Sequence, residues 1–169
     1  MLDRTDLEPV FFAPFVSSLM RLEPQWIDYN GHLNMAYYNV LFDRAVDEAY
    51  ELIGVGPDYL ERHRHSTVVV ETHVRYLREL RLDDPVRVTV QLLDYDAKRF
   101  HLFEQLFHAT EGWVSATSET MTLHVDMAAK KVAPFPGRVL RALGAMKDAH
   151  AALPQPDGAG RRVEMPVRV

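Results

Sequence analysis

A short polar segment, residues 26–38, carries the side chains whose types and spacing could support chemistry. Asp28 supplies a carboxylate, Gly31 allows a tight turn after it, and Asn34 is a residue type that favours the N-cap of a helix. A helix start presents unpaired backbone N–H groups and the positive end of the helix dipole. A carboxylate beside such donors is suited to acyl chemistry, because the donors can hold a developing oxyanion while the acid attacks or activates water.

A long helix is predicted directly after this segment. Apolar residues recur there at helical spacing, at Val40, Leu41, Ala45, Ala49 and Leu52. Asn34 would cap the start, and the glycines and the proline at 54, 56 and 57 would end the helix near Ile53. The apolar surface is wider than one stripe, so the helix needs burial on several sides.

The rest of the chain alternates between strand and turn signals. Strands are predicted over 16–27 (interrupted near Pro24), 67–77, 86–91, 100–109 and 113–125. A second helix is predicted over 138–152, and a single short helical turn over 58–61. This order predicts an α+β fold in which a curved antiparallel sheet of five or six strands wraps around the long central helix.

The 169 residues are predicted to form one domain spanning 1–169. Residues 1–15 form an N-terminal arm, interpreted as a hydrophobic strap over the core or as part of a dimer contact. Residues 154–169 are predicted to form a C-terminal tail, which is Pro/Gly-rich from 154 to 160 and either a terminal strand or disordered from Arg161.

Composition excludes several function classes. A net charge of -5 argues against nucleic acid as a partner. The absence of cysteine removes disulfides, thiolate metal sites and a cysteine nucleophile. There is no apolar stretch of membrane-spanning length and no signal segment, which favours a soluble cytoplasmic protein. No metal or cofactor motif is present, so neither a metal nor a cofactor is expected beyond coenzyme A as part of a substrate.

The pattern Asp28-x-x-Gly31-His32-x-Asn34 at the helix entrance, with Asp43 further along the helix, resembles the hotdog-fold acyl-CoA thioesterases of the 4-hydroxybenzoyl-CoA thioesterase type. Four further segments are similar to the branch of carnitine breakdown, which hydrolyses betainyl-CoA: residues 26–33, 71–77, 96–101 and 124–126.

This resemblance implies a hotdog fold and hydrolysis of a small acyl-CoA to free acid and CoA. Asp28 matches the catalytic carboxylate, as nucleophile or general base, and a backbone N–H near Asn34 to Ala36 polarises the thioester carbonyl. Relatives are dimers or tetramers with active sites between subunits. Some relatives use a glutamate on the helix, but Glu48 lies too far along to take that role.

Each candidate has a plainer interpretation. Asp28 could only cap a turn, Asn34 could only cap the helix, and His32 could anchor the loop instead of carrying a proton. The substrate-binding candidates are Tyr29, Gly31, His32, Met35, Tyr37 and Tyr38. The tyrosines, with Trp26 and Trp113, are either core residues or a cation–π box for a trimethylammonium acyl group.

Lys98 and Arg99 are candidates for binding the phosphates of coenzyme A, as are Lys130, Lys131 and Arg138. Solvated surface charge is the alternative for both clusters.

Two other functions compete with hydrolysis. One is a hotdog dehydratase or hydratase that uses His32 as its base, and the other is a non-catalytic acyl-CoA-binding protein.

Overall fold

A computed structural model of the chain describes residues 10–165. Residues 1–9 of the predicted arm and residues 166–169 of the predicted tail therefore lie outside the described residues. In chain order the elements are β1 (Phe15–Val16), β2 (Met20–Arg21), α1 (Met35–Ile53), α2 (Pro57–His63), β3 (His65–Tyr76), β4 (Pro85–Tyr95), β5 (Arg99–His108), β6 (Val114–Asp126), β7 (Lys131–Val132) and α3 (Gly137–His150).

All seven strands belong to one antiparallel sheet. The order is β1-β4-β5-β6-β3, with β2 also pairing with β4 and β7 with β6. The β3–β6 ladder is the longest and runs from His65 opposite Asp126 to Tyr76 opposite Ala116. Helix α1 packs against β4 and β5, and α3 packs against β4. The α+β arrangement of a sheet around a long helix is confirmed.

The core forms where the buried face of α1 meets the inward positions of the sheet. Leu41 and Ala45 of α1 are completely buried, and Phe42, Ala49 and Ile53 are nearly so. On β4 the buried residues Val86, Val88, Val90 and Leu92 alternate with half-buried ones. Each fully buried Val or Leu side chain contributes about 1.5–3 kcal/mol by leaving water. The buried residues of α1, spaced at the helical period, therefore pack against the alternate buried residues of β4 in one apolar layer.

Both ends of α1 follow the prediction. The Asn34 side-chain oxygen accepts the N–H of Ala36 at 3.0 Å, as an N-cap does. At the other end Gly54 adopts a left-handed conformation, with φ of 77°. A glycine tolerates that conformation without steric cost. The predicted span is thus confirmed at both termini.

The predicted first strand over 16–27 is wrong as one element. The structure has two separate two-residue strands, β1 and β2, followed by a 3-10 turn at Pro24–Trp26. Pro24 has no backbone N–H, so the ladder does not continue through it after β2. The break between β1 and β2 follows Ser17, whose hydroxyl oxygen accepts the N–H of Val88 at 3.0 Å. The predicted turn at 58–61 is a longer helix, α2, and the residues from 161 to 165 contain no strand.

Strand β3 is an edge strand of the sheet. It pairs with β6, and no other strand in the described part of the chain pairs with its second side. Several apolar side chains on this strand are exposed, namely Val68, Val69, Val70 and Tyr76. A long apolar edge strand is a ready template for pairing with another chain. No helix among residues 10–165 is long and apolar enough to cross a membrane.

His150 at the end of α3 joins three parts of the fold. Its Nδ1 accepts the N–H of Leu92 on β4 at 3.0 Å. Its Nε2 must then carry the proton, and it donates to the carbonyl oxygen of Phe12 at 2.8 Å. The side chain is buried, and burial lowers the pKa of His150. The fold therefore requires the neutral imidazole.

This requirement predicts a pH-dependent cost for His150→Leu. The stability that neutral His150 contributes is complete above about pH 6.5, the ordinary imidazole pKa. It is lost as the pH falls through the lowered pKa. The substitution should cost about 1–3 kcal/mol at pH 8 and clearly less at pH 5, measured by urea unfolding. The exposed residue His63, changed to Gln, is the control. A cost for His150→Leu that stays constant or grows toward acid pH would contradict this role.

Candidate active site

A tight turn presents Asp28 beside the start of α1. The N–H of Asp28 donates to the carbonyl oxygen of His32 at 2.9 Å, and the N–H of Gly31 donates to the carbonyl oxygen of Asp28 at 3.0 Å. Gly31 has a φ of 80°, a left-handed conformation that favours glycine. The spacing of the motif is therefore the spacing of a closed turn.

Backbone bonds fasten this turn to the helix. Ile27 and Leu33 form an antiparallel bridge at its base. The N–H of Asn34 donates to the carbonyl oxygen of Trp26 at 2.9 Å, and the N–H of Leu33 donates to that of Leu80 at 2.8 Å. The position of Asp28 relative to the first turn of α1 is thus set by main-chain hydrogen bonds.

The carboxylate of Asp28 accepts one hydrogen bond and forms no ion pair among residues 10–165. Its Oδ1 accepts the N–H of Asn30 at 2.8 Å, and the side chain is half-buried. No lysine, arginine or histidine among residues 10–165 forms an ion pair with it. The bond to Asn30 is one that a turn-capping aspartate makes, yet it leaves the negative charge available for chemistry.

Four backbone N–H groups lie at the entrance of α1, and three of them are bonded within the protein. Those of Asn34 and Tyr37 donate to backbone carbonyls, and that of Ala36 donates to the Asn34 side chain. The N–H of Met35 has no such partner within residues 10–165. Met35 is 65% exposed. The oxyanion donor predicted near Asn34 to Ala36 is therefore best matched by Met35.

The side chain of His32 lies beside a glutamate. Its Nε2 lies 3.2 Å from a carboxylate oxygen of Glu79. Together with Arg78 and Arg81 it lines a polar cavity of about 360 Å³ beside the turn. These arginines were not predicted as site residues; their position just before β4, next to Leu80, is what brings them to the turn.

The three predicted tyrosines do not converge on one space. Tyr29 is 98% exposed at the tip of the turn. Tyr37 stacks on Trp26 with ring centroids 5.5 Å apart. Tyr38 is buried against Tyr76, and burial raises the pKa of its hydroxyl.

Both candidate tryptophans already make cation–π contacts with arginine side chains of the same chain. The guanidinium of Arg44 lies 4.9 Å from the Trp26 ring, and that of Arg78 lies 3.9 Å from the Trp113 ring. The protomer therefore does not assemble the predicted aromatic box from these residues.

A cavity of about 580 Å³ lies between α1 and the strands β3, β5 and β6. It begins at Asn39, past the first turn of the helix, and Asp28 is not part of its wall. Three carboxylates line it, those of Asp43, Asp47 and Glu104. Asp43 was singled out from sequence, whereas Asp47 and Glu104 were missed.

Glu104 differs from the other two carboxylates in its burial. It is 1% exposed, and the Thr120 hydroxyl donates to it at 3.0 Å. Burial raises the pKa of Glu104 to about 7, and Asp43 contributes in the same direction. A signal was available in the sequence, because Glu104 occupies an inward position of β5 between Leu102 and Leu106.

Lys98 and Arg99 lie at the far end of the sheet from Asp28. They sit at the β4–β5 turn, where Arg99 pairs with Asp96 at 2.6 Å. The ten residues of β5 separate that turn from the Asp28 end, a span of about 30 Å. One protomer therefore does not bring them to the site.

Glu48 on α1 accepts hydrogen bonds from the backbone N–H and the hydroxyl of Ser18, and so has a structural role.

No group of three or more histidine, aspartate or glutamate side chains in the region from 10 to 165 is arranged to hold a metal ion.

Comparison with known proteins identifies the family. Residues 22–143 match the family model of the thioesterase-like superfamily. The chain belongs to this superfamily. A betainyl-CoA thioesterase from Pseudomonas aeruginosa is 39% identical to this chain over 143 residues. The matched region covers 85% of this chain and 90% of the Pseudomonas protein.

Two further relatives are informative. An L-carnitine dehydrogenase/betainyl-CoA thioesterase from Rhizobium meliloti is 43% identical over 85% of this chain, which matches 29% of that longer protein. A Staphylococcus aureus protein, solved in complex with CoA, superposes with a TM-score of 0.85 and 25% identity over 93% of this chain and 98% of that one. The predicted hotdog thioesterase family and the enzyme class, acyl-CoA thioester hydrolysis, are confirmed.

The site predicts that Asp28→Asn folds normally and loses activity. Asparagine keeps an oxygen that can accept the Asn30 N–H, so the turn remains, while the charge is removed. Thiol release from an acyl-CoA should fall at least about 100-fold. Glu48→Gln, an equal loss of charge outside the site, should retain activity. Near-normal turnover by a folded Asp28→Asn protein would remove Asp28 from the mechanism.

Proposed function

We propose that this thioesterase hydrolyses betainyl-CoA to betaine and CoA, with Asp28 as the catalytic carboxylate. Two features of the helix entrance support the proposal: the Asp28 carboxylate has no cationic partner among residues 10–165, and the N–H of Met35 has no hydrogen-bond partner there. The identity of 39% to a betainyl-CoA thioesterase supports the choice of substrate.

In this mechanism the thioester oxygen accepts a hydrogen bond from the Met35 N–H. The positive end of the α1 dipole adds to the polarisation of the carbonyl. Asp28 then either attacks the carbonyl carbon, giving a mixed anhydride that water hydrolyses, or removes a proton from the attacking water. In both routes the C–S bond breaks, and CoA leaves as a thiolate that takes up a proton.

Asn34 supports this geometry chiefly as the helix cap. Its side-chain oxygen is occupied by the Ala36 N–H, which leaves the amide NH₂ as the group that could contact substrate. A direct role in positioning the carbonyl or water stays a prediction. An acyl-CoA substrate also fits the cytoplasmic location predicted from sequence.

We further propose that two copies pair through β3. The open edge is twelve residues long and carries exposed apolar side chains, which a second copy would cover. Antiparallel pairing would place the Lys98 end of one protomer beside the Asp28 end of its partner. The candidate CoA-binding residues Lys98 and Arg99 would then act across the interface, and a tetramer would add a second contact elsewhere.

The substrate proposal predicts a preference that a neutral analogue can measure. In 3,3-dimethylbutyryl-CoA a carbon atom replaces the nitrogen of betainyl-CoA, so the two differ in charge and hardly in shape. Thiol release should give a kcat/KM for betainyl-CoA at least about tenfold higher, which corresponds to about 1.4 kcal/mol. Equal values, or hydrolysis of the neutral analogue alone, would contradict betainyl-CoA as the substrate.

The dimer proposal predicts that charges on the β3 edge separate the protomers. Val68→Lys with Val70→Lys places two cations on that edge, and neither residue lines the large cavity. Light scattering after gel filtration should show a dimer for the parent chain and a monomer with little activity for the variant. Leu82→Lys, an exposed apolar position off the edge, is the control. An unchanged mass for the β3 variant would rule out this interface.

A further inference from the structure

Tyr76, the last residue of β3, is in direct contact with the residue that supplies the proposed oxyanion donor. Its hydroxyl donates to the carbonyl oxygen of Met35 at 3.3 Å. Val74, two residues earlier, packs against the core, and alternate residues of a strand face the same side of the sheet. Tyr76 therefore lies on the inner face of the sheet, at the entrance of α1. It was not among the tyrosines predicted from sequence to bind substrate.

The side chain of Tyr76 is held in place at two points. Its hydroxyl is bonded to Met35, and its ring packs against that of Tyr38 in a T-shaped arrangement, with centroids 5.0 Å apart and planes at 76°. Tyr38 is buried in the core about one helical turn after Met35. An aromatic ring that is fixed in this way loses little conformational freedom when a ligand contacts it.

The Tyr76 side chain nevertheless borders solvent. Tyr76 is 45% exposed, and Met35 beside it is 65% exposed. On the core side, Leu33 and Leu80 are buried and joined by a backbone hydrogen bond. A substrate that reaches the Met35 N–H from solvent therefore approaches over the exposed surface that Met35 and Tyr76 share.

No arginine or lysine among residues 10–165 lies over the Tyr76 ring. Arginine side chains of the chain lie over three other aromatic rings, those of Trp26, Trp113 and Tyr59. A cation is attracted to an aromatic ring within about 6 Å of its centroid. Tyr76 is therefore an exposed ring at the helix entrance on which a cation of the substrate can lie.

The reach of a betainyl group matches this position. Its quaternary nitrogen is two bonds from the carbonyl carbon, a distance of about 2.5 Å. When the carbonyl oxygen accepts the Met35 N–H, the quaternary nitrogen lies no more than about 7 Å from the Met35 nitrogen. The Tyr76 hydroxyl is also no more than about 7 Å from that nitrogen, because it contacts the Met35 carbonyl oxygen. An acyl group turned toward the exposed side therefore brings its cation within range of the ring.

We propose that the ring of Tyr76 selects acyl groups that bear a quaternary ammonium cation, a role that rests on the proposed function. The trimethylammonium group lies against the ring and is attracted by its quadrupole. A neutral tert-butyl group of the same shape makes the same packing contact without this attraction. Tyr76 therefore determines specificity, whereas Asp28 and the Met35 N–H act on the reacting carbonyl.

Substitutions at position 76 separate the ring from the hydroxyl. Tyr76→Phe keeps the ring and loses the bond to Met35, and Tyr76→Leu loses both. The control Phe12→Leu removes a ring that is 70% exposed in the N-terminal arm. The measured preference is kcat/KM for betainyl-CoA divided by kcat/KM for 3,3-dimethylbutyryl-CoA.

This preference should stay within about twofold of the parent value in Tyr76→Phe and Phe12→Leu. In Tyr76→Leu it should fall about fivefold or more, because the cation–π attraction is lost. An unchanged preference in Tyr76→Leu, or equal losses in the two variants at position 76, would overturn the role of the ring.

Ring fluorination gives a readout that a purely structural role would not move. Fluorine withdraws electron density from the face of an aromatic ring and changes its shape little, so it weakens the attraction for a cation. In Tyr76→Phe proteins whose new ring carries one, two or three fluorines, the preference should fall stepwise. A preference that is independent of fluorine content would exclude the ring as its source. This series keeps the packing against Tyr38, so it decides the question even if Tyr76→Leu does not fold.

Binding to the Asp28→Asn protein separates this inference from the proposed function. Calorimetry should show betainyl-CoA binding about fivefold or more tightly than 3,3-dimethylbutyryl-CoA, and adding Tyr76→Leu should remove the difference. Thiol release by the parent chain, with a preference for betainyl-CoA that Tyr76→Leu retains, would overturn the role of Tyr76 alone. A binding difference that depends on Tyr76, without thiol release from any acyl-CoA, would overturn the hydrolytic function and leave the role of the ring standing.

Discussion

The backbone hydrogen bonds that join the Asp28 turn to the first turn of α1 are the constraint on which the site depends. The bond from Asn34 N–H to the Trp26 carbonyl and the Ile27–Leu33 bridge hold the turn closed. The helix in turn is fixed by the burial of its apolar face against the sheet. The Asp28 turn and the N-terminus of α1 are therefore held in one fixed arrangement before substrate arrives, which is the condition for electrostatic preorganisation.

Two features of the protomer lie on the same side of the molecule, next to strand β3. The β3 edge has no partner strand among residues 10–165, and three carboxylates line the cavity beside it, those of Asp43, Asp47 and Glu104. Val69 belongs to both features, because it is exposed on the edge and lines the cavity. A second copy of the chain, paired through β3 as proposed, would lie beside this cavity.

Much of the fold was predictable because local signals agree with the tertiary structure. The apolar spacing from Leu41 to Ile53, the cap at Asn34 and the left-handed Gly54 all point to the same helix. The first strand was predicted with an interruption near Pro24, but the earlier break between Val16 and Met20 was missed; there the Ser17 side chain, not a strand carbonyl, accepts the N–H of Val88. Short strands of two residues leave too little pattern to identify.

The site was only partly predictable, because a sequence shows residue types and not which neighbours already occupy them. The aromatic residues near Asp28 were candidates for a cation box, but Trp26 stacks on Tyr37 and carries Arg44. Glu104 was overlooked, although an acid at an inward strand position is a strong signal of function or strain. Lys98 is distant from Asp28 in one protomer, and only the proposed pairing of two copies would bring it near.

Vibrational spectroscopy can test whether the Met35 N–H polarises the thioester carbonyl beside Asp28. The Asp28→Asn protein would be mixed with betainyl-CoA labelled with carbon-13 at the thioester carbonyl, and the isotope-edited infrared spectrum compared with that of the free compound in water. We expect a carbonyl stretch at lower frequency in the bound state, because a hydrogen bond and the helix dipole weaken the C=O bond. A bound carbonyl whose frequency equals or exceeds that in water would contradict it.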